Sequence, residues 1–171
     1  MTKALLVIDL QNDYFPSGKF PLWNSDIVLQ NTVRAISHLK ATGVPVILIQ
    51  HIASSKNGIA PFFNEGTSGA AIHPDVLAAT PDAPVIVKQF ADSFDQTNLE
   101  ETLGKLGVTD LLVCGMMTQN CVTHTAISKA AEKYKVSVLS DCCTTVSEPL
   151  HQIALHALSR RITLTPSTEV T

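Results

Sequence analysis

Six short apolar runs alternate with helix-patterned stretches along this chain. That alternation predicts an α/β protein whose parallel strands are joined by right-handed crossovers and covered by helices on both faces. Two further observations agree. The runs are continuous rather than alternating, as strands buried on both sides require. Hydrophobic residues make up 45% of the 171 positions and charged residues only 16%. That length fits a single domain over residues 1–171, with enough core to bury such strands.

The first run, Ala4 to Asp9, is a strand ending in a carboxylate. QNDYFPSGKFPLW is turn-rich and aromatic, hence a loop. Ser25 or Asp26 can cap a helix whose apolar positions Ile27, Val28, Val33, Ile36 and Leu39 recur at helical spacing, with Gly43 as its stop. Val44 to Ile49 is the second strand. From Ala53 to Pro84 glycines and prolines break any long element, leaving one helical turn near Asp75 to Ala79. A connection of that length inside a compact domain is typically functional. Because it carries Phe62, Phe63 and His73, it is expected to form a pocket. Val85 to Val87 is the third strand and runs straight into Lys88.

Thr97 and Glu100 have capping-box spacing for the next helix, which ends near Gly107. Val108 to Cys114 is the fourth strand. A glycine and a polar elbow, MMTQN, follow it, and a helix carrying Cys121 in its first turn is expected to run to about Tyr134. Val136 to Leu139 is the fifth strand. Ser147, Glu148 and Pro149 mark a helix start, and that helix ends near Arg160 or Arg161. Ile162 to Leu164 is the sixth strand.

A net charge of −3 without a basic stripe argues against a nucleic-acid partner. No apolar run is long enough to span a bilayer, so no membrane association is expected. The N-terminus reads as a strand rather than a signal peptide, which points to the cytoplasm. The apolar surplus predicts a homo-oligomer. Cys114, Cys121, Cys142 and Cys143 form no CxxC pair and read as free thiols, three of them as small buried hydrophobes.

Cys121 differs because unpaired N–H groups at a helix start favour a thiolate. In a parallel α/β sheet the carboxyl ends of the strands carry the site. Asp9, Lys88 and Cys121 all belong to that edge. Taken singly, each has a structural explanation: a turn-forming aspartate, a solvated lysine, a structural cysteine. Together they supply a base, a cation and a nucleophile. Backbone N–H groups of Met117 and Cys121 are the natural oxyanion donors. The chemistry is attack on the amide-type C–N bond of a small-molecule substrate through a thioester. The competing readings are a non-catalytic small-molecule-binding or scaffold protein, and redox use of Cys121 with Cys142 or Cys143.

LLVIDLQNDYF at Leu5 to Phe15, IHPDV at Ile72 to Val76, VKQFADSF at Val87 to Phe94 and CGMMTQNCVTHTAISKA at Cys114 to Ala130 carry a resemblance. The chain resembles the isochorismatase-like cysteine hydrolases, which include nicotinamidases. The resemblance implies strand order 3-2-1-4-5-6, an Asp9–Lys88–Cys121 triad, and a cis peptide at Met116–Met117 that aims the Met117 N–H at the oxyanion. Nicotinamidases bind a metal through an Asp-x-His pair after strand two, with a further histidine downstream. Here His51 and Ala53 stand in the pair's place, so no metal and no cofactor are expected, and nicotinamide is disfavoured. Isochorismate-cleaving members lack the cysteine, so Cys121 argues against their chemistry. Phe15, Trp23, His51, Phe62, Phe90 and Met116 are the candidate substrate contacts. Gln11 and Asn12 are expected to orient the loop, and His124 and Thr125 to pack.

Overall fold

The computed structural model describes residues 1–170. Its centre is a six-stranded, all-parallel sheet: β1 (Lys3–Ile8), β2 (Val46–His51), β3 (Val85–Lys88), β4 (Asp110–Met116), β5 (Lys135–Thr144) and β6 (Thr163–Thr165), in the order β3-β2-β1-β4-β5-β6. The sequence order reverses between β1 and β4. Ala4 to Ile8 are buried throughout, as are Asp110 to Met116. These two central strands are covered on both faces, which is why they read as unbroken apolar runs.

Helix α1 (Ser25–Ala41) turns Val28, Leu29, Ala35, Ile36 and Leu39 inward at helical spacing and packs on β5. It follows Asn24 in the left-handed region, with no side-chain cap from Ser25 or Asp26. Gly43, at φ +79, turns the chain towards β2. The turn expected near residue 75 is α2 (Pro74–Ala79), whose cap is the His73 side chain accepting from the Asp75 N–H. It packs against α1. Helix α5 (Glu148–Leu158) follows Ser147 and carries a proline in its first turn.

Three local expectations fail. The capping box at Thr97 and Glu100 does not form. Helix α3 spans Leu99–Lys105, the Thr97 hydroxyl donates to the Ser93 carbonyl, and Glu100 pairs with Lys133. The segment carrying Cys121 is not one helix to Tyr134. It is a π turn (Thr118–Val122), a single α turn, α4 (Thr123–Ala126), and a 3-10 turn (Lys129–Lys133). Strand β5 runs to Thr144 rather than stopping at Leu139, because Ser140 and Asp141 continue it without an apolar signal. Its register against β4 jumps, from Val113 facing Val138 to Gly115 facing Cys143. The extra β5 residues bulge out of the ladder.

Gly115 sits at that jump with φ +127, and a Cβ there would lie 2.0 Å from the Ile8 carbonyl oxygen. Only glycine lets β4 come this close to β1 just before both strands deliver their polar tips. Gly115→Ala should therefore cost about 3 kcal/mol or more, lowering the melting temperature by roughly 10 °C in a thermal scan.

Candidate active site

Three strand ends converge. Asp9 follows β1 directly and takes the left-handed conformation, φ +54. Its N–H goes to the Ile49 carbonyl at 3.0 Å and its carbonyl accepts from the Gln11 N–H at 2.8 Å, so the backbone is pinned in that turn. Lys88 ends β3, and in the parallel register it faces His51, the last residue of β2. Cys121 lies in the π turn after β4. The Met117 carbonyl there accepts from both Asn120 and Val122, and the Met116–Met117 peptide bond is cis.

Asp9, Lys88 and Cys121 are 0%, 1% and 3% exposed. The Lys88 Nζ lies 3.0 Å from Asp9 Oδ2, 3.0 Å from His51 Nδ1, 3.1 Å from the Phe90 carbonyl oxygen and 3.2 Å from Cys121 Sγ. The contact with Asp9 is a close, fully buried ion pair, and Asp9 bears on both Lys88 and Cys121. Burial alone would depress the Lys88 ammonium, but Asp9 and then Cys121 outweigh it and its pKa stands above the ordinary lysine value. Burial, followed by the Asp9 charge, pushes the Cys121 thiol far up, with Lys88 opposing. That direction opposes the thiolate expected from a helix start. Cys121 is four residues into a π turn, and desolvation there outweighs the backbone dipoles.

Asp9, His51 and Cys121 place ligand-type atoms within 4.8 Å of one another, which invites comparison with a metal site. The residues do not fit one. Ala53 has no donor atom, His51 Nδ1 is occupied by Lys88, and the cationic position at the centre of the cluster is already held by the Lys88 ammonium. A divalent ion beside that ammonium would face direct repulsion.

Of the other residues singled out from the sequence, His51 joins the cluster through its ring. Phe90 meets it through its backbone carbonyl, while its side chain is largely exposed. Met116 is fully buried and Met117 partly so. Phe62 belongs to an aromatic cluster with Tyr14, Phe20 and Phe63, and Phe63 lies 6.0 Å from the His51 ring. Phe15 is buried against His73, at 4.6 Å between ring centres. Trp23 stands beside His151 at 5.9 Å, towards the end of β5 rather than against the cluster. Cys142 and Cys143 bear on Cys114, Asp141 bears on all three, and all four cysteines are free thiols.

Four residues that support the site escaped the sequence reading or were given lesser parts. Tyr14 is buried with its phenol held up by burial, then by Asp9 and Cys121, so it stays a neutral hydroxyl. Its position five residues after Asp9 in the same strand-tip loop was the available signal. Asp13 accepts from the Phe63 and Lys19 N–H groups and ties the long connection to the first loop. A Cβ at Gly69 would lie 2.0 Å from its carboxylate, so only glycine fits there. Thr125 bonds both the N–H and the hydroxyl of Ser93, tying the segment after Lys88 to the segment that carries Cys121. His151 Nδ1 meets the Thr118 hydroxyl at 2.8 Å and braces the π turn from α5.

A profile of the isochorismatase domain matches residues 3–169. The chain is 43% identical over 147 residues to the uncharacterized isochorismatase family protein YddQ of Bacillus subtilis, covering 86% of this chain and 80% of that one. It is 27% identical over 180 residues to the nicotinamidase of Escherichia coli, covering 85% and 84%. A solved structure assigned to the isochorismatase hydrolases, from Oleispira antarctica, superposes with a TM-score of 0.87 at 32% identity over 98% of this chain and 95% of that one. With its 3-2-1-4-5-6 sheet and this extent of matching sequence, the chain belongs to the isochorismatase family.

Proposed function

We propose that this protein is a hydrolase of non-peptide C–N bonds in a small amide-type molecule, acting through a thioester on Cys121. The observation that carries the reading is the fully buried Asp9–Lys88–Cys121 cluster, in which one ammonium stands 3.0 Å from a carboxylate and 3.2 Å from a sulfur. Relatives that include a nicotinamidase support amide substrates.

The steps follow from the charges. As substrate binds, the Cys121 thiol proton passes to Asp9, which stays beside Lys88, and Sγ attacks the carbonyl carbon. Lys88 faces the sulfur throughout and stabilises the thiolate as it forms. The oxyanion that develops is received by the N–H groups of Met117 and Cys121. The C–N bond breaks and the leaving amine takes the proton from Asp9, leaving a thioester. Water then attacks the thioester, delivers a proton to Asp9, and that proton returns to sulfur as the acid departs. No step uses a metal.

Three outcomes test this. Cys121→Ala should fold normally yet lose about four orders of magnitude or more in kcat/KM, measured as ammonia release across a panel of small primary amides. Undiminished release would end the proposal. Treatment with a chelator should leave activity unchanged; a loss restored by zinc would contradict it.

The raised thiol gives a signed pH prediction. Its pKa lies far above neutrality, so iodoacetamide labelling of Cys121 in the resting protein should be slow at neutral pH and rise as the solution becomes alkaline. Asp9→Asn, with no group to take the thiol proton, should be severely impaired in amide turnover, measured as ammonia release; turnover near wild type would show that Asp9 is not the base.

A further inference from the structure

We propose, on the reading of the Met117 N–H as an oxyanion donor, that His151 is a positioning residue. Through the Thr118 hydroxyl it holds the elbow so that the Met117 N–H points at the developing oxyanion. Trp23 then serves as the wall behind the imidazole rather than as a substrate contact.

The Met117 N–H lies between two anchored residues. Met116, before it, is still in the β4 ladder, opposite Thr144 of β5. Thr118, after it, is the first residue of the π turn and fully buried, and its hydroxyl meets His151 Nδ1 at 2.8 Å. Within the turn the Met117 carbonyl accepts from the N–H groups of Asn120 and Val122, at 3.0 and 3.3 Å. The Thr118 carbonyl accepts from the Thr123 hydroxyl at 2.6 Å. Those bonds are local and set the shape of the turn. Its tilt against the sheet depends on what it leans on outside. At the reacting end that is Lys88, 3.2 Å from the Cys121 sulfur, and at the Met117 end it is His151 of α5. Thr118 directly follows Met117, so a displacement of the one carries the other with it.

His151 is itself set by its surroundings. It lies in the first turn of α5, is 6% exposed, and donates its N–H to the Ser147 carbonyl at 3.0 Å. The Trp23 ring stands 5.9 Å from the imidazole. Trp23 is anchored on the end of β5, where its N–H donates to the Thr145 carbonyl at 2.9 Å and its carbonyl accepts from the Thr144 hydroxyl. The strand end that pairs with Met116 therefore also backs the histidine. Burial disfavours the imidazolium, with Glu148 opposing. A neutral ring has one donor and one acceptor nitrogen, and a threonine hydroxyl can answer either, so the contact at Nδ1 stands in both tautomers.

Two reactions of Cys121 separate a brace of the oxyanion hole from a brace of the fold. Acetylation by p-nitrophenyl acetate passes through an oxyanion. The Sγ–carbonyl bond forms, the ester C–O bond breaks, nitrophenolate leaves as the anion and the thiol proton goes to Asp9. Alkylation by iodoacetamide forms an Sγ–CH2 bond as the C–I bond breaks, iodide leaves and the thiol proton is released to solvent. His151→Leu should slow the nitrophenolate burst by about tenfold, a part of the roughly 100- to 1,000-fold lost when an oxyanion donor is removed outright. Alkylation of Cys121 in that variant, followed by mass spectrometry at a fixed alkaline pH, should stay within about twofold of wild type, because it develops no oxyanion. His151→Asn, which keeps a polar atom near the Nδ1 position, should bring the burst back to within about threefold. Thr118→Val should match His151→Leu, and the double variant should be no slower than either, as two ends of one contact require. Should His151→Leu lose the wild-type melting transition, the near-isosteric Thr118→Val carries the same comparison. Equal slowing of acetylation and alkylation, or a burst at the wild-type rate, would overturn the proposal while leaving Cys121 as the nucleophile. A wild-type protein never acetylated at Cys121 would overturn the thioester reading and this proposal with it.

Discussion

The site depends on one buried ammonium. Lys88 and Asp9 side chains are both fully excluded from solvent. Taking either charge out of water alone costs several kcal/mol, and breaking such a pair by removing one partner typically costs about 3–5 kcal/mol. The pair is therefore tolerated because each charge answers the other, and the sulfur is placed where it can share the cation. The rest of the upper sheet edge follows from that constraint. Asp9 adopts a left-handed backbone, Gly115 lets β4 approach β1, and Thr125 ties the segment after Lys88 to the nucleophile turn.

Topology explains why three distant stretches of sequence meet. Sequence order reverses between β1 and β4, and at such a point the strand tips diverge to leave a crevice. Asp9 comes from β1 and Cys121 from beyond β4, on the two sides of that crevice. Lys88 comes from β3, two strands away from β1, and its long side chain is what spans the intervening strand. That strand is β2, and its last residue, His51, lies under the lysine's path. An aspartate or histidine carried on β3 would be too short to make the same crossing, so the identity of the cation is linked to its place in the sheet.

What the sequence made legible and what it did not divide along a physical line. Strand tips were readable because continuous apolar runs ending at Asp9, Lys88 and Gly115 mark buried strands whatever their neighbours. The sheet order was legible only through family resemblance, since periodicity does not say which strand pairs with which. The contact between His51 and Lys88 depends on register between β2 and β3 and on a side-chain direction, neither of which the residues encode locally. The capping box failed because the Thr97 hydroxyl turns back to the nearby Ser93 carbonyl and Glu100 pairs with the distant Lys133. The thiolate expectation weighed the dipoles of a helix start but not the desolvation of a sulfur that is almost fully buried, which acts in the opposite direction.

That desolvation bears on how the proposed mechanism would start from a thiol. With Cys121 and His51 neutral, the Asp9 carboxylate and the Lys88 ammonium balance one another. Moving the thiol proton to Asp9 relocates the negative charge onto sulfur and leaves the total unchanged. In a low-dielectric setting, creating a new net charge is the expensive event, whereas transferring one between two atoms that face the same ammonium is far cheaper. Asp9 Oδ2 and Cys121 Sγ lie at nearly equal distances from Lys88 Nζ, so the cation favours neither end strongly. In the proposed mechanism the thiolate then need not exist before substrate arrives, and would form within a cluster of unchanged total charge.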